Sequence, residues 1–302
     1  MRVLVTGASG FVGRATCAEL IERGHDVVAL TRRAGSEPAG TSAVQGDIAN
    51  EDGAALTEAV AEARPECIVH LAAEIASQRD EAKIRATNVD GTRRLAEAAQ
   101  AAGGEPKLVF CSTVVTGEAH GELLEPGKPL PVETPYGRSK QEGERIVAES
   151  GLPYAIVRPS HVYGSGGWYE QEFVKRLRQP GRFAVIGRGD NWWDVVRVED
   201  VASALADAAE KAPSGGVYHA ADDHPITFYD FIALTSKALG LGPPRRVPLV
   251  LARLAAGRHA VTAVTRSARS SNARLKEELG WSPRFPSAEQ GVPDAVAGLS
   301  AA

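Results

Sequence analysis

The feature that most constrains the fold is a glycine-rich turn between a short β-branched run and an amphipathic helix. The run RVLVT (2–6) predicts a buried strand, and FVGRATCAELIERG (11–24) has apolar residues at helical spacing. Between them, Gly7, Gly10 and Gly13 are spaced G-x-x-G-x-x-G. In this context the first glycine allows a tight turn, the second lets backbone N–H groups approach a pyrophosphate, and the third lets the helix pack closely. The turn therefore predicts a dinucleotide-phosphate site at the helix N-terminus; the alternative is a glycine-rich turn without a ligand.

The first 160 residues alternate short apolar runs with helical patterns. Continuously apolar strands that alternate with helices are typical of a parallel sheet covered on both faces. We therefore predict an α/β fold with a doubly wound parallel (Rossmann) sheet. The predicted strands are 2–6, 26–30, 66–73, 107–112 and 154–159, and the predicted helices are 11–24, 51–63, 80–102 and 136–150.

This alternation is lost after Pro159. The next segment, SHVYGSGGWYEQ, predicts a glycine-rich loop, and the remaining chain mixes short strands, helices and a proline-rich connector. We therefore predict a second, smaller C-terminal lobe that binds substrate. The predicted division is a dinucleotide-binding domain of residues 1–164, completed by roughly 191–222, and a substrate-binding lobe of 165–190 and 223–302.

Composition and charge argue against several classes of protein. The net charge of −4 gives no basic footprint for nucleic acid. The apolar runs fall short of the roughly 20 residues that span a membrane, and the N-terminal run is too short for a signal peptide. Cys17, Cys67 and Cys111 lack a Cys-x-x-Cys spacing and are expected to be reduced, buried thiols. We expect a cytoplasmic protein that binds neither nucleic acid, membrane nor metal.

The end of the second predicted strand predicts the type of dinucleotide. Thr31 occupies the place where an acidic residue holds the ribose 2′-hydroxyl of NAD, and Arg32 and Arg33 follow it. Guanidinium groups bind a 2′-phosphate through charge-assisted hydrogen bonds, whereas a carboxylate repels it. The pattern predicts NADP(H); the alternative is a pair of solvated loop arginines.

Two further stretches are candidate cofactor contacts. Asp47, in the run GDI, follows the third strand, where its carboxylate is placed to accept from an adenine amino group. The small residues of HLAA (70–73) end the fourth strand and leave room for the nicotinamide-side ribose. Each stretch is equally compatible with an ordinary turn or strand end.

Three polar residues predict the chemistry. Ser112 stands at the carboxyl end of the fifth strand, the edge where open α/β sheets bind ligands. Tyr136 and Lys140 lie four residues apart, on one face of the following helix. In reduction of a carbonyl, Tyr136 would protonate the oxygen, Lys140 would lower the pKa of the phenol, and Ser112 would polarise the carbonyl. The alternative is a half-buried tyrosine beside a surface lysine.

The motifs together resemble an extended short-chain dehydrogenase/reductase of the NAD-dependent epimerase/dehydratase type. The resemblance rests on TGASGFVG, GDI, HLAA, NVDGTRRLAEAA, FCSTVVTG, YGRSK, RPSHVYG and VRVEDVASAL. It implies that Ser112, Tyr136 and Lys140 are catalytic, and it implies a dimer built from helices like 80–102 and 136–150. The predicted cofactor contacts are Gly7, Ser9, Gly10, Phe11, Val12, Gly13, Arg32, Arg33, Asp47, Ile48, Leu71, Ala72, Ala73, Asn88, Tyr136, Lys140 and Pro159.

Departures from the family pattern narrow the reaction. Dehydratases of the family carry an Asp-Glu pair where this chain has Thr113 and Val114, so sugar dehydration is not expected. Trp193 replaces an arginine that grips the diphosphate in sugar-nucleotide epimerases, which suits a flatter and less charged substrate or plain packing. Thr113, His161 and Trp193 are the candidate substrate contacts, with a structural histidine as the alternative for His161.

These observations predict an NADP(H)-dependent oxidoreductase that reduces a carbonyl of a small or medium organic substrate, or oxidises the alcohol. A sugar-nucleotide epimerase is the second hypothesis, and a non-catalytic NADP(H) sensor is the third. Retention of the Tyr136 and Lys140 pair argues against a sensor, because such proteins commonly lose it.

Overall fold

The computed structural model describes residues 1–50, 52–181 and 183–300. Within them the strands alternate with helices along the first half of the chain and become short in the second half. The strands are β1 (Arg2–Thr6), β2 (Asp26–Thr31), β3 (Ser42–Gln45), β4 (Cys67–His70), β5 (Lys107–Cys111), β6 (Leu123–Leu124), β7 (Tyr154–Pro159), β8 (His161–Tyr163), β9 (Val185–Ile186), β10 (Val195–Arg197), β11 (Gly216–Ala220), β12 (Arg246–Val247) and β13 (Arg269–Ser270).

The helices include two π-helical segments, Ala86–Asp90 and Glu170–Val174. The α-helices are α1 (Phe11–Glu22), α2 (Ala54–Ala63), α3 (Glu81–Arg85), α4 (Gly91–Ala102), α5 (Pro135–Glu149), α6 (Gly167–Tyr169), α7 (Lys175–Leu177), α8 (Val198–Lys211), α9 (Phe228–Ala238), α10 (Leu249–Thr265), α11 (Ala273–Leu279) and α12 (Ala288–Ser300). In the described part of the chain, none of these helices combines the length and the apolar character that crossing a bilayer requires.

The central sheet has seven parallel strands in the order β11-β7-β5-β4-β1-β2-β3. Helices cover both of its faces. One apolar cluster packs α1 and α8 against one face, and a second packs α2, α4 and α5 against the other. Strands buried on both faces are largely apolar, as the fully buried β4 is from Cys67 to Val69 before it ends at His70. The predicted doubly wound parallel sheet is confirmed.

A third apolar cluster lies apart from the two that cover the sheet. It contains aromatic residues such as Tyr169, Phe173 and Phe231, together with residues of the C-terminal helix α12. Tyr163 and Trp193, from segments predicted to belong with the sheet, also pack into it. The division into two domains with the boundaries given above stays a prediction, as does the implied dimer.

The segment after Pro159 differs from its prediction as a loop. It contains β8, which pairs in parallel with β10, and then α6 and a π-helical turn. Gly166 and Gly167 have positive φ angles at the bend between β8 and α6, so these glycines indicate a loop although short regular elements flank them.

The strand order reverses between β1 and β4, and the carboxyl ends of all seven strands open on one edge of the sheet. Ligands of open α/β sheets bind at such a reversal. The glycine-rich turn after β1, the arginines after β2 and Ser112 after β5 all lie on this edge.

Candidate active site

The glycine-rich turn is shaped by close backbone contacts. Gly7 has φ +68°, and a Cβ added there would lie 2.7 Å from the backbone nitrogen of Ala72. Gly10 donates its N–H to the Gly7 carbonyl over 2.9 Å, which closes the turn. A Cβ at Gly13 would overlap the same carbonyl oxygen, so the first turn of α1 packs directly on the turn. The conformational roles predicted for Gly7 and Gly13 are therefore confirmed.

The tip of this turn is open to a ligand. Ser9 and Gly10 are exposed, and Phe11 and Val12 are half-buried at the start of α1. The helix N-terminus carries partial positive charge and N–H groups without helical partners, which favour an anionic group. The Phe11 ring packs beneath Gly167, where an added Cβ would lie 2.6 Å from its Cγ.

The end of β2 presents two exposed arginines. Arg32 and Arg33 are both exposed, and the loop closes behind them where Ser36 donates its hydroxyl to the Arg33 carbonyl over 2.7 Å. Thr31, just before them, is buried, and its Oγ1 has no hydrogen-bond partner among the described residues. The last residue of β2 thus carries a hydroxyl without a partner among the described residues, and two guanidinium groups follow it at the place predicted to recognise the adenosine ribose.

Asp47 and Ile48 follow β3. One carboxylate oxygen of Asp47 accepts from the Ala49 N–H over 2.9 Å, which fixes the turn. Ile48 is buried against Gly91 at the start of α4, where an added Cβ would lie 3.1 Å from Ile48 Cδ1. Asp47 therefore shapes the loop, and Ile48 forms its hydrophobic base.

A buried hydrogen-bond chain, which no local sequence pattern indicates, fixes the loop after β4. Thr92 donates its hydroxyl to the Asn88 carbonyl over 2.7 Å, so it accepts from His70 Nε2 over 3.0 Å. His70 Nδ1 is then an acceptor, and Thr6 Oγ1 donates to it over 2.7 Å. Burial lowers the pKa of His70 to about 3, with Lys140 as a lesser cause, so the ring is neutral.

The same threonine holds two of the predicted cofactor contacts. Thr6 Oγ1 accepts from the N–H groups of Leu71 and Ala72, each over 3.2 Å. Leu71, Ala72 and Ala73 are half-buried beside the glycine-rich turn. The Thr6–His70 pair therefore sets the distance between the end of β4 and Gly7.

Asn88 lies on the π-helical segment before α4, and its amide is occupied by protein groups. Its Nδ2 donates to the Glu74 carbonyl and to Ser139 Oγ, each over 2.9 Å, and its Oδ1 accepts from the Glu74 N–H over 2.7 Å. Ser139 in turn donates to the Tyr136 carbonyl over 2.8 Å. Asn88 therefore joins the β4 loop to the helix that carries Tyr136. Such π-helical turns are frequent at functional sites.

Ser112, Tyr136 and Lys140 gather around the end of β5. Lys140 Nζ lies 4.2 Å from the centroid of the Phe110 ring, two residues before Ser112. Tyr136 is the second residue of α5, whose N-cap Thr134 accepts from the Gly137 N–H over 2.9 Å. Ser112 is 5% exposed, and its Oγ has no partner among the described residues. A buried hydroxyl without a partner is costly to keep unless a ligand satisfies it.

The two titratable groups of this trio are both shifted by burial. Burial raises the pKa of the Tyr136 phenol, and the neighbouring Cys111 raises it further. Burial lowers the pKa of Lys140 to about 8. The sequence predicts that Lys140 lowers the pKa of the phenol; in the structure the net shift is upward instead, because desolvation of the phenolate dominates. The phenol therefore holds its proton at neutral pH.

The candidate substrate residues differ in their surroundings. Thr113 is buried, donates to the Pro159 carbonyl over 3.3 Å and accepts from the Val115 N–H over 2.9 Å, so its hydroxyl is used in the turn. The buried Pro159 also accepts from the Val114 N–H over 3.1 Å. Thr113 and Pro159 therefore lock the end of β5 to the end of β7.

His161 and Trp193 stack on each other. Their ring centroids are 3.6 Å apart at 18°, and the Trp193 ring is also packed against Phe228 at 4.8 Å. His161 Nδ1 donates to the Asp194 carbonyl over 2.8 Å, and burial lowers the pKa of His161 to about 3. The ring is thus neutral with Nε2 as an acceptor. Trp193 is 4% exposed and serves as packing that supports His161.

Comparison with known proteins assigns the family. The model of the NAD dependent epimerase/dehydratase family matches residues 3–221. The chain therefore belongs to the NAD-dependent epimerase/dehydratase family, among the extended short-chain dehydrogenases/reductases.

Relatives within this family catalyse different reactions. The chain is 32% identical to a 3-diazoavenalumate denitrifying reductase from a Streptomyces species, over 97% of this chain and 99% of the relative. It is 34% identical to the dTDP-4-dehydrorhamnose reductase of Streptomyces griseus, over 83% and 82% of the two chains. The UDP-glucose 4-epimerase of Thermus thermophilus, solved as a complex with NAD, is similar in structure, with a TM-score of 0.83, 27% identity and full coverage of both chains.

The observed geometry fits the nicotinamide dinucleotide that this family uses. Gly7 and Gly13 leave a backbone cradle that a Cβ would fill, as a pyrophosphate site requires. The hydroxyls of Thr31 and Ser112, which lack hydrogen-bond partners among the described residues, lie at the ends of β2 and β5, where the sequence predicts the two ends of the dinucleotide. In the described ranges, no three His, Cys, Asp or Glu side chains are grouped as a metal site would require.

Proposed function

We propose that the protein is an NADPH-dependent reductase that reduces a carbonyl of a small or medium organic substrate. The observation that carries the proposal is the grouping of Ser112, Tyr136 and Lys140 at the end of β5, beside the glycine-rich turn. Bound NADPH would supply a hydride to the carbonyl carbon. The protein's own residues would then hold the carbonyl and supply the proton.

Ser112 and Tyr136 have separate tasks in this reaction. The free, buried Ser112 hydroxyl donates to the carbonyl oxygen and stabilises the charge that develops on it. The Tyr136 phenol transfers its proton to that oxygen, so an alcohol forms and a phenolate remains. The raised pKa of Tyr136 keeps the phenol protonated at neutral pH, which is the form that reduction requires.

Lys140 stabilises the phenolate left by proton transfer. Its pKa of about 8 keeps it mostly protonated at neutral pH. Lys140 lies four residues after Tyr136, on the same face of α5. Among the described residues of this helix, it is the one buried cation on that face. Its role is electrostatic, since the ammonium favours the negative form of a neighbouring phenol.

The choice of NADPH rests on Arg32 and Arg33. Both are exposed at the end of β2, and Thr31 leaves the position before them without a carboxylate. The arginines would form charge-assisted hydrogen bonds with the 2′-phosphate. NADH, which lacks that phosphate, would bind less tightly.

A second candidate is reductive removal of a diazo group. It is favoured by the relative that reduces 3-diazoavenalumate, which matches almost the whole chain. In such a reaction a hydride would replace the diazo group: a C–H bond would form, and N2 would leave with the electron pair of the C–N bond. No oxygen gains a proton, so Tyr136 would not be needed as an acid.

One experiment separates these candidates. NADPH oxidation is followed with a panel of ketones, aldehydes, aryl diazonium compounds and sugar nucleotides, for wild type and Tyr136→Phe. Carbonyl reduction consumes one NADPH per alcohol and should fall by about 10²–10⁴-fold in Tyr136→Phe. Undiminished turnover of a diazonium compound by Tyr136→Phe would favour the second candidate. Conversion of a sugar nucleotide without net NADPH use would identify an epimerase and refute the proposal.

A further inference from the structure

Arg266 is a buried cation that the proposed chemistry does not use. It is 5% exposed and follows α10 in the C-terminal part of the chain. Its Nε donates to the Gly117 carbonyl, and its Nη2 donates to the Val114 carbonyl over 2.8 Å. Burying a charged guanidinium costs free energy unless the group is hydrogen-bonded. The two carbonyls supply these hydrogen bonds, so we expect the backbone that carries them to be held in place.

The carbonyls that Arg266 binds belong to the loop that starts at Ser112. This loop, residues 112–117, is anchored at its start by the hydrogen bond from the Val114 N–H to the Pro159 carbonyl. At its other end, Gly117 packs on Pro131, where an added Cβ would lie 2.7 Å from the carbonyl oxygen. Arg266 spans the loop between these two anchors.

The same loop holds the N-terminus of the helix that carries Tyr136. The Thr116 carbonyl accepts from the N–H groups of Glu133 and Thr134, over 3.0 and 3.3 Å. Gly137 packs on Thr116, where an added Cβ would lie 2.9 Å from its Cα. A shift of the 112–117 loop would therefore move Ser112 and Tyr136 relative to each other.

The backbone at Arg266 and Ala268 is hydrogen-bonded to the segment that leads into Trp193, a candidate substrate residue. Asn191 Nδ2 donates to the Arg266 carbonyl over 2.8 Å, and the Ala268 N–H donates to the Trp192 carbonyl over 3.2 Å. Trp193, next in sequence, stacks on His161. Burial lowers the pKa of the Arg266 guanidinium. The carboxylates of Asp194, Glu118 and Glu133 act in the opposite direction and favour its charged form.

We propose that Arg266 is a positioning residue that sets the distance between the Ser112 hydroxyl and the Tyr136 phenol. It acts through the 112–117 loop and links that distance to the segment that supports His161. This inference rests on the proposed function, because Ser112 and Tyr136 are assigned there. Arg266 itself touches neither the reacting atoms nor the predicted cofactor contacts.

The test compares Arg266→Met and Arg266→Lys with Arg269→Met. Arg269 is the matched control: its Nε and Nη2 both donate to the Gly121 carbonyl, over 3.1 and 3.0 Å, four residues beyond the 112–117 loop. The steady-state kcat, the KM for NADPH and the KM for the carbonyl substrate are measured for each. Melting curves establish that each variant is folded.

We expect Arg266→Met to lower kcat by about 10–100-fold with a KM for NADPH within about twofold of wild type, since small misplacements of reacting groups cost rate. Arg266→Lys should recover part of the loss, because one ammonium restores the charge and cannot span both carbonyls in the fixed fork of a guanidinium. Arg269→Met should keep kcat within about threefold of wild type.

If Arg266→Met does not fold, the kcat of Arg266→Lys alone decides. Equal kcat losses in the Arg266 and Arg269 variants, or no loss in any folded Arg266 variant, would overturn the inference.

Hydrogen exchange separates failure of this inference from failure of the proposed function. If wild type reduces no carbonyl in the panel, the proposed function fails, and amide exchange of NADPH-bound protein tests the positioning role directly. Faster exchange across 112–117 and 134–137 in Arg266→Lys, and not in Arg269→Met, would support it. Equal exchange in the two variants would contradict it.

Discussion

The two ends of the candidate site are built differently. At the cofactor end, backbone contacts set the shape: Gly7 meets the backbone of Ala72, and Gly13 meets the carbonyl of Gly7. At the substrate end, large or charged side chains from distant segments set it: His161 stacks on Trp193, and Arg266 spans a loop some 150 residues earlier. Gly7 and Gly13 have no room for a Cβ, whereas the substrate end depends on side chains that can be exchanged. We infer that the backbone of the fold fixes the pyrophosphate site, whereas exchangeable side chains set the choice of substrate and, at Arg32 and Arg33, the preference for NADPH.

The largest expected effect is at the backbone cradle. In Gly13→Ala, the new Cβ would overlap the Gly7 carbonyl and lie 2.7 Å from the Ala8 carbonyl oxygen. The turn must open, and we expect NADPH affinity to fall at least about 100-fold, together with roughly 1–3 kcal/mol of stability from overpacking. Fluorescence titration with NADPH and denaturant melts measure both. Gly127→Ala is the control, because nothing lies within 4 Å of its added Cβ. Equal affinities for the two variants would refute the cradle.

The next largest effect concerns the dinucleotide's phosphate. The double variant Arg32→Gln, Arg33→Gln should weaken NADPH binding by about 10–100-fold, since loss of one net charge-assisted hydrogen bond to the 2′-phosphate costs about 1.5–3 kcal/mol. NADH binding should change little. Arg176→Gln, which removes an exposed arginine paired with Glu172 over 2.8 Å, serves as the control. If NADH binds the wild type as tightly as NADPH, the interpretation of these arginines is wrong.

A smaller effect on stability is expected at Asp194, at the substrate end. Burial raises the pKa of this carboxyl to about 7. Above pH 7 the Asp194 carboxylate is charged in both the folded and the unfolded protein, and its burial destabilises the folded state. Below about pH 4 the carboxyl is largely neutral in both states, so this penalty is absent. Asp194→Asn should therefore raise the unfolding free energy by roughly 1–3 kcal/mol at pH 8 and by nothing near pH 4. Urea unfolding at both values checks this. A gain at pH 4 as large as at pH 8 would exclude the electrostatic cause.

At Lys140 we expect a smaller effect on the free energy of unfolding, with the opposite dependence on pH. Its folded pKa of about 8 lies below the ordinary value of 10.5, so the folded state pays for the charge below pH 8. As pH rises from 8 to 10.5 the folded protein releases the proton first, and the penalty disappears. Lys140→Met should stabilise the protein by roughly 1–2 kcal/mol at pH 7, fading towards pH 10.5, while it removes activity. Loss of stability at pH 7 would show that the ammonium is held favourably.

The two ends also differ in how far the sequence predicts them. The cofactor end follows from local patterns: Gly7 and Gly13 have a fixed spacing, and Tyr136 and Lys140 lie one helical turn apart. The sheet follows from the alternation of apolar strands and helices. These features depend on neighbours in the chain, so they can be read from a single sequence.

The remaining features depend on contacts between distant segments. The Thr6–His70 pair joins residues 64 positions apart, and Arg266 reaches Val114 across 152 positions. The π-helical turn that holds Asn88 depends on tertiary packing. The pKa of Tyr136 also depends on burial, which local sequence does not give, and our expectation for it had the wrong direction.

The most direct test of the central claim is a crystal structure of the protein with NADPH. The account predicts that the nicotinamide ring lies beside the Tyr136 phenol and the Ser112 hydroxyl, with the pyrophosphate on the Gly7–Gly13 turn and the 2′-phosphate on Arg32 or Arg33. A nicotinamide ring far from Tyr136, with the turn still holding the pyrophosphate, would contradict a reductase and leave a nucleotide-binding protein.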